Sequence, residues 1–119
     1  MSDLERAVLL AIAEQCPEHG AALRQQVSSA SVAQRENTGV GFYTKLRITD
    51  EPRMEGAPSP LGGIGADVDG MTYGMGFLLW LQDGVAETLE GYTYDDETVG
   101  LELSSLRCSN VGPRMSQVR

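Results

Sequence analysis

The sequence predicts an α+β domain: two N-terminal helices packed on one face of an antiparallel sheet of about four to five strands. Three observations predict it. Apolar residues recur at helical spacing near the N-terminus, the pattern changes to period two after Asn37, and Asp83-Gly84 joins two apolar strand-like runs. At 119 residues the chain falls in the size range of one domain, 1–119, and can bury a core without a disulfide or metal staple.

Ser2-Asp3-Leu4-Glu5 has the form of a capping box, in which Ser2 bonds the backbone N–H three residues on and Glu5 reaches back. Leu4, Ala7, Val8, Ala11 and Ile12 then share a stripe, so a helix is expected over about 3–15, ended by Pro17. Leu23, Val27 and Ala30 fall at i, i+4 and i+7 and predict a second helix over about 18–34. Its Val-Ser-Ser-Ala-Ser-Val centre is poor in helix formers.

Strands are expected over about 41–49, 64–71, 74–82, 85–94 and 101–108, with 50–63 as a loop and 109–119 as a tail. In the first, Phe42, Thr44, Leu46 and Ile48 share one face, and Tyr43, Lys45 and Arg47 the other. Gly74 to Gln82 is the most apolar run, and Asp83-Gly84 after it signals a hairpin. A two-residue loop would pair Gln82 with Val85. A three-residue loop with Gly84 left-handed would pair Leu81 with Val85 and gather Phe77, Leu79, Leu81, Val85 and Leu89 on one face, with only Glu87 out of place. The second register is preferred, since a slip by one residue exchanges the faces. Ala86, Thr88, Glu90 and Tyr92 then point the other way, beside Leu78 and Trp80.

The formal net charge is −8, and it is unevenly placed: from Asp50 to Glu102 twelve acids stand against one base, Arg53. Such a field disfavours nucleic acid and anionic membrane and favours encounter with a basic protein partner. No apolar run approaches the ~20 residues that span a bilayer. The N-terminus carries acids where a signal peptide carries bases, so a cytoplasmic location is expected. Two cysteines make no disulfide framework and read as reduced, partly buried thiols.

Several catalytic or ligand-binding patterns fall short. Cys16-Pro17-Glu18-His19 offers two zinc ligands, but a structural site needs two more and the chain has one histidine. The same pair lacks any sign of an oxyanion hole for thiolate chemistry. Gly62-Gly63-Ile64-Gly65-Ala66-Asp67 has the glycines of a phosphate loop without its Lys-Ser/Thr. Asp67-Val68-Asp69-Gly70 resembles part of a calcium loop, yet Gly65 and Gly76 stand where the first and last acidic ligands belong. Glu87 and Glu90 point to opposite faces of a regular strand, which is poor geometry for a glycosidase pair. No catalytic residue, cofactor or metal site is therefore expected.

The stretch from Gln82 to Glu97 holds six acids and no base, with two tyrosines among them. Asp83, Glu87, Glu90, Tyr92, Tyr94, Asp95, Asp96 and Glu97 are the expected partner-binding face, with tyrosines as anchors and carboxylates for steering. The alternative is an exposed acidic hairpin that only keeps the protein soluble. Glu90 also has a structural reading, as an ion-pair partner of Arg35 or Arg47.

Gly41-Phe42-Tyr43-Thr44, the run Gly76-Phe77-Leu78-Leu79-Trp80-Leu81-Gln82-Asp83-Gly84, and Leu89-Glu90-Gly91-Tyr92-Thr93-Tyr94 together resemble a loose group of small, mostly uncharacterised bacterial proteins with an α+β fold. Some proteins of this size and acidity are immunity proteins that block secreted toxins. The resemblance covers roughly 41–94, rests on hairpin and core residues, and implies no catalytic residue. It adds an inhibitor role, occlusion of a basic toxin or nuclease, to the charge-based reading. Two other readings stand beside it: a homodimer or assembly protein pairing through an edge strand at 101–106, and a small ligand binder or enzyme using His19, Cys16 or an acid pair.

Overall fold

The computed structural model describes residues 1–49 and 52–114. Two helices, α1 (Asp3–Gln15) and α2 (Gly20–Ser28), precede strands β1 (Ser31–Asn37), β2 (Gly41–Arg47), β3 (Leu61–Val68), β4 (Met75–Gln82), β5 (Val85–Thr93) and β6 (Cys108–Pro113). The strands form one antiparallel six-stranded sheet in the order β1-β2-β5-β4-β3-β6. The smallest dimension is 20 Å, the thickness of one helix layer on one sheet.

Burial separates the faces. Phe42, Ile64, Ala66, Met75, Phe77, Leu79 and Leu89 are buried against Leu4, Val8, Leu9, Ile12, Leu23 and Val27 of the helices. Tyr43, Lys45 and Trp80, on the opposite face, are exposed. The capping box forms as expected, and its Glu5 does more than cap. Glu5 is buried and receives two parallel hydrogen bonds from Arg35 of β1 at 2.9 Å each, one from the Thr44 hydroxyl at 2.6 Å and one from the Ser2 backbone N–H at 2.8 Å. Burial pushes its pKa up, but the bonds from Arg35, Thr44 and Ser2 outweigh it and hold the carboxyl at about 2.

Five expectations are corrected. The second helix stops at Ser28 rather than 34, because the Ser28 and Ser29 hydroxyls donate back to the carbonyls of Gln25 and Gln26. The chain then enters β1, whose mostly exposed residues show no alternation. The expected strand at 101–108 is a single 3₁₀ turn, Leu103–Ser105. Leu103 and Leu106 pack on the core three residues apart, which is helical rather than strand spacing. Pairing resumes at β6, inside the expected tail. The sheet edges are thus β1 and β6, not 101–106.

The hairpin register is the fourth. Gln82 pairs with Val85, and Asp83 and Gly84 both have positive φ (52° and 77°), the signature of a two-residue type I′ turn. The register then shifts: Leu81 pairs with Ala86 but Trp80 with Thr88, leaving Glu87 unpaired at a bulge. Leu79 therefore faces Leu89, and Ala86 turns inward while Thr88, Glu90 and Tyr92 stay outward beside Leu78 and Trp80. The bulge resolves the conflict that Glu87 posed.

The loop read at 50–63 is partly ordered structure, and its first two residues lie outside the described residues. Met54 is buried and donates its N–H to Gly84 O at 2.8 Å, and Leu61–Gly63 belong to β3. Gln26 of α2 completes the attachment. Its amide N–H groups donate to Pro52 O (2.8 Å) and Gly84 O (3.0 Å), and its oxygen accepts from Ala86 N–H at 2.9 Å. The β4–β5 turn is thus docked on the helix layer.

Candidate functional site

The outer face of β2, β5 and β4 carries the acids and aromatics. Tyr43 lies opposite Glu90 and Lys45 opposite Thr88 across the β2–β5 pair. Across the β5–β4 pair, the Trp80 indole N–H donates to Glu90 Oε1 at 2.9 Å. Glu90 thus bonds tryptophan, not Arg35 or Arg47; Arg35 is committed to Glu5. Glu36, Tyr43, Lys45, Trp80, Glu87 and Thr88 line an open depression of about 310 Å³ on this face.

Toward the far end of β5, Tyr92 and Tyr94 meet edge to face with ring centroids 5.6 Å apart. They lie over Gly76, where an added Cβ would collide with both side chains. Burial and then the neighbouring Tyr94 push the Tyr92 phenol up to about 12, so it stays neutral. The chain then turns at Asp95, whose φ is 73°. Asp96 accepts the backbone N–H groups of Thr72 (2.9 Å) and Tyr73 (3.4 Å), fastening this loop to the β3–β4 turn. Thr98 is buried, accepts from Gly41 N–H at 3.1 Å, and joins Asn37 at 2.7 Å, while its own N–H donates to Gly39 O at 2.8 Å.

The eight predicted face residues therefore run along one ribbon. Asp83 is at the docked turn, Glu87 at the bulge, Glu90 and Tyr92 on the outer face, and Tyr94 to Glu97 in the following loop. Nine strand residues place its ends roughly 30 Å apart. Asp83, Glu87, Tyr94, Asp95 and Glu97 are exposed. Glu90, Tyr92 and Asp96 also hold neighbouring structure in place, an internal role that spacing along the sequence does not reveal. Sequence reasoning did not place Tyr43 and Trp80 on this face as contact residues, although both sit at outward positions of the period-two pattern.

The weak chemical motifs serve packing and turns. Among the described residues no group of three or more His, Cys, Asp or Glu side chains converges on a metal-sized site. Asp67, half of the calcium-like pattern, accepts from Asn110 at 2.7 Å and pairs with Arg114 at 3.5 Å, which hold it below the usual carboxylate range. Cys16 follows the last turn of α1, whereas Cys108 lies beside Asp3 and Leu4 at its start, about 20 Å away by helix rise. Burial raises both thiols, helped by Glu18 for Cys16 and by Asp3 and Asp69 for Cys108, so neither is poised as a thiolate. The glycines at 62, 63 and 65 lie in β3, close beneath Leu78, Gln15 and Arg114. No helix among the described residues is long and apolar enough to cross a membrane.

Fold and surface together define a two-layer α+β domain whose sheet turns an uncovered face to solvent, carrying aromatics, the acids of β5 and the bases Lys45 and Arg47 of β2. No protein-family model, curated protein or solved structure matches the chain.

Proposed function

We propose that the protein is an acidic binding module of the inhibitor or immunity type, which occludes a basic protein such as a toxin or nuclease. The observation that carries this reading is the outer ribbon from Asp83 to Glu97. It includes Tyr92 and Tyr94 and runs beside Trp80 and Tyr43, with exposed carboxylates at the bulge (Glu87) and in the turns at its two ends (Asp83, Asp95 and Glu97). Aromatic side chains supply contact area with little conformational freedom to lose, and acids around them steer a cationic partner and speed its encounter. Action in the cytoplasm and absence of nucleic-acid and membrane binding belong to the same proposal, and the last two rest on the net charge of −8.

The test is affinity capture from a native lysate at low and high salt, with mass spectrometry of what is retained, followed by kinetics on the purified pair. A single basic protein retained at low salt, with an association rate that falls steeply as salt rises, is expected. A partner whose association rate ignores ionic strength removes the steering role. Retention of the protein's own copies alone removes the inhibitor reading in favour of self-assembly.

A further inference from the structure

Three loops meet at the end of the sheet away from the docked β4–β5 turn. They are the β1–β2 turn at 38–40, the β3–β4 turn at 69–74, and the segment that leaves β5 at 94–102. Because the strand order is β1-β2-β5-β4-β3-β6, these loops lie side by side over about 15 Å. They expose large apolar groups: Val40 (61%), Tyr73 (61%), Tyr94 (42%) and Val99 (68%). The Val99 side chain lies over Gly39, and Val40 O accepts from both the N–H and the hydroxyl of Thr93. Thr98 and Asp96 bind the middle loop to its neighbours on either side. The apolar groups are therefore presented on a preorganised platform, with their ordering cost met in folding.

The charge around them is mostly negative. Residues 69–74 and 94–107 contain Asp69, Asp95, Asp96, Glu97 and Glu102 against a single base, Arg107. Exposed apolar side chains set among mostly anionic loops match a partner surface of the inverse kind, apolar side chains interspersed with arginine or lysine. We infer that this three-loop platform, rather than the Trp80 region of the open sheet, is where a basic protein partner anchors. The inference rests on the binding-module reading and specifies which part of the molecule carries the affinity. Tyr94 is common to both surfaces; Val40, Tyr73 and Val99 belong to the platform alone.

The test uses the full chain and a defined probe: a synthetic twelve-residue peptide alternating arginine and leucine, with an arginine–glycine peptide of equal length and charge as control. Binding is mapped by backbone amide NMR shifts. Saturable shifts centred on residues 39–41, 72–74 and 94–100 are expected with the arginine–leucine peptide and only weak, salt-sensitive ones with the control. Val99→Ser and Tyr73→Ser should each weaken the arginine–leucine peptide roughly fivefold or more. Both sites are exposed, and an unchanged thermal midpoint checks that each variant folds. Shifts centred on the Trp80 indole and Tyr43 instead would overturn the platform while leaving the binding-module reading standing. Equal affinity for the two peptides would overturn the apolar anchor. Self-association that buries the platform, seen by sedimentation, would assign it to a second copy and overturn the heterologous partner. No saturable shift anywhere would count against both the platform and the binding module.

Discussion

Trp80 and Glu90 stand on adjacent strands of the open face, joined by an indole N–H to carboxylate hydrogen bond of 2.9 Å. The acid therefore fixes the orientation of the largest aromatic residue on this surface. Because the chain contains one tryptophan, its fluorescence reports this contact without interference. Glu90→Ala should free the indole, increase its quenching by acrylamide and iodide, and leave the melting midpoint almost unchanged. Unaltered quenching would mean that the bond does not persist in solution.

The buried pair makes the fold sensitive to acid. Glu5 has a pKa of about 2 in the folded protein, below the ~4.3 of a free glutamate. Its ionised form is thus favoured by folding. The contribution is fully present above the unfolded value and is lost as pH falls from there through about 2. Arg35→Met should destabilise the protein by about 3 kcal/mol at pH 7, because a buried carboxylate is left short of its ion partner. The difference from wild type should shrink as pH drops through the range in which the variant's Glu5 protonates. Urea unfolding at pH 7, 5 and 3.5 reads both quantities, and a pH-independent difference would refute the assignment.

Gln26 ties α2 to the β4–β5 turn through three hydrogen bonds. Gln26→Ala should cost about 2–4 kcal/mol, since the Ala86 N–H loses its acceptor in a buried setting. Hydrogen exchange should accelerate first at Gly84, Ala86 and Met54, because Met54 docks on the same turn through Gly84. Uniform acceleration through the whole sheet would show instead that the turn does not open as a local unit.

Thr98 holds the loop after β5 against the β1–β2 turn. Thr98→Val keeps the shape and removes the hydroxyl that serves Asn37 and Gly41, at an expected cost of about 1–3 kcal/mol. Amide exchange at Gly39 and Gly41 should rise, while that of Leu79 and Leu89 in the core should follow global stability alone. Wild-type protection at Gly39 in this variant would show that the loop is held by other contacts.

Local signals explain which parts of the fold were legible. α1 carries its own capping box and stripe, β2 has the alternation of a half-buried strand, and β4 is an apolar run joined to β5 by the Asp83-Gly84 turn signal. The edge strands were hidden because edges need little burial: β1 is largely exposed, and β6 contains Asn110 with positive φ, Gly112 and Pro113. Arg35 finds Glu5 across thirty positions, and the contact depends on β1 being a strand rather than the end of a helix. The candidate face was legible as composition, six acids and two tyrosines in one ribbon. Its division of labour was not, because Asp96 acts on residues 72–73 and Tyr92 rests over Gly76, neighbours supplied by sheet order.

The bulge at Glu87 sets a rule for how this surface can change length. Trp80 would still meet Thr88, and Leu79 would still meet Leu89, if the unpaired residue were lost by a single-codon deletion. Removing one residue from the regular stretch between Leu89 and Tyr92 has no such compensation and exchanges the sheet faces beyond it. Glu87 is thus the acid within the strand part of this ribbon that descendants of the gene can drop or regain as an indel while the core stays in phase. That gives the surface a way to alter its charge by length as well as by substitution.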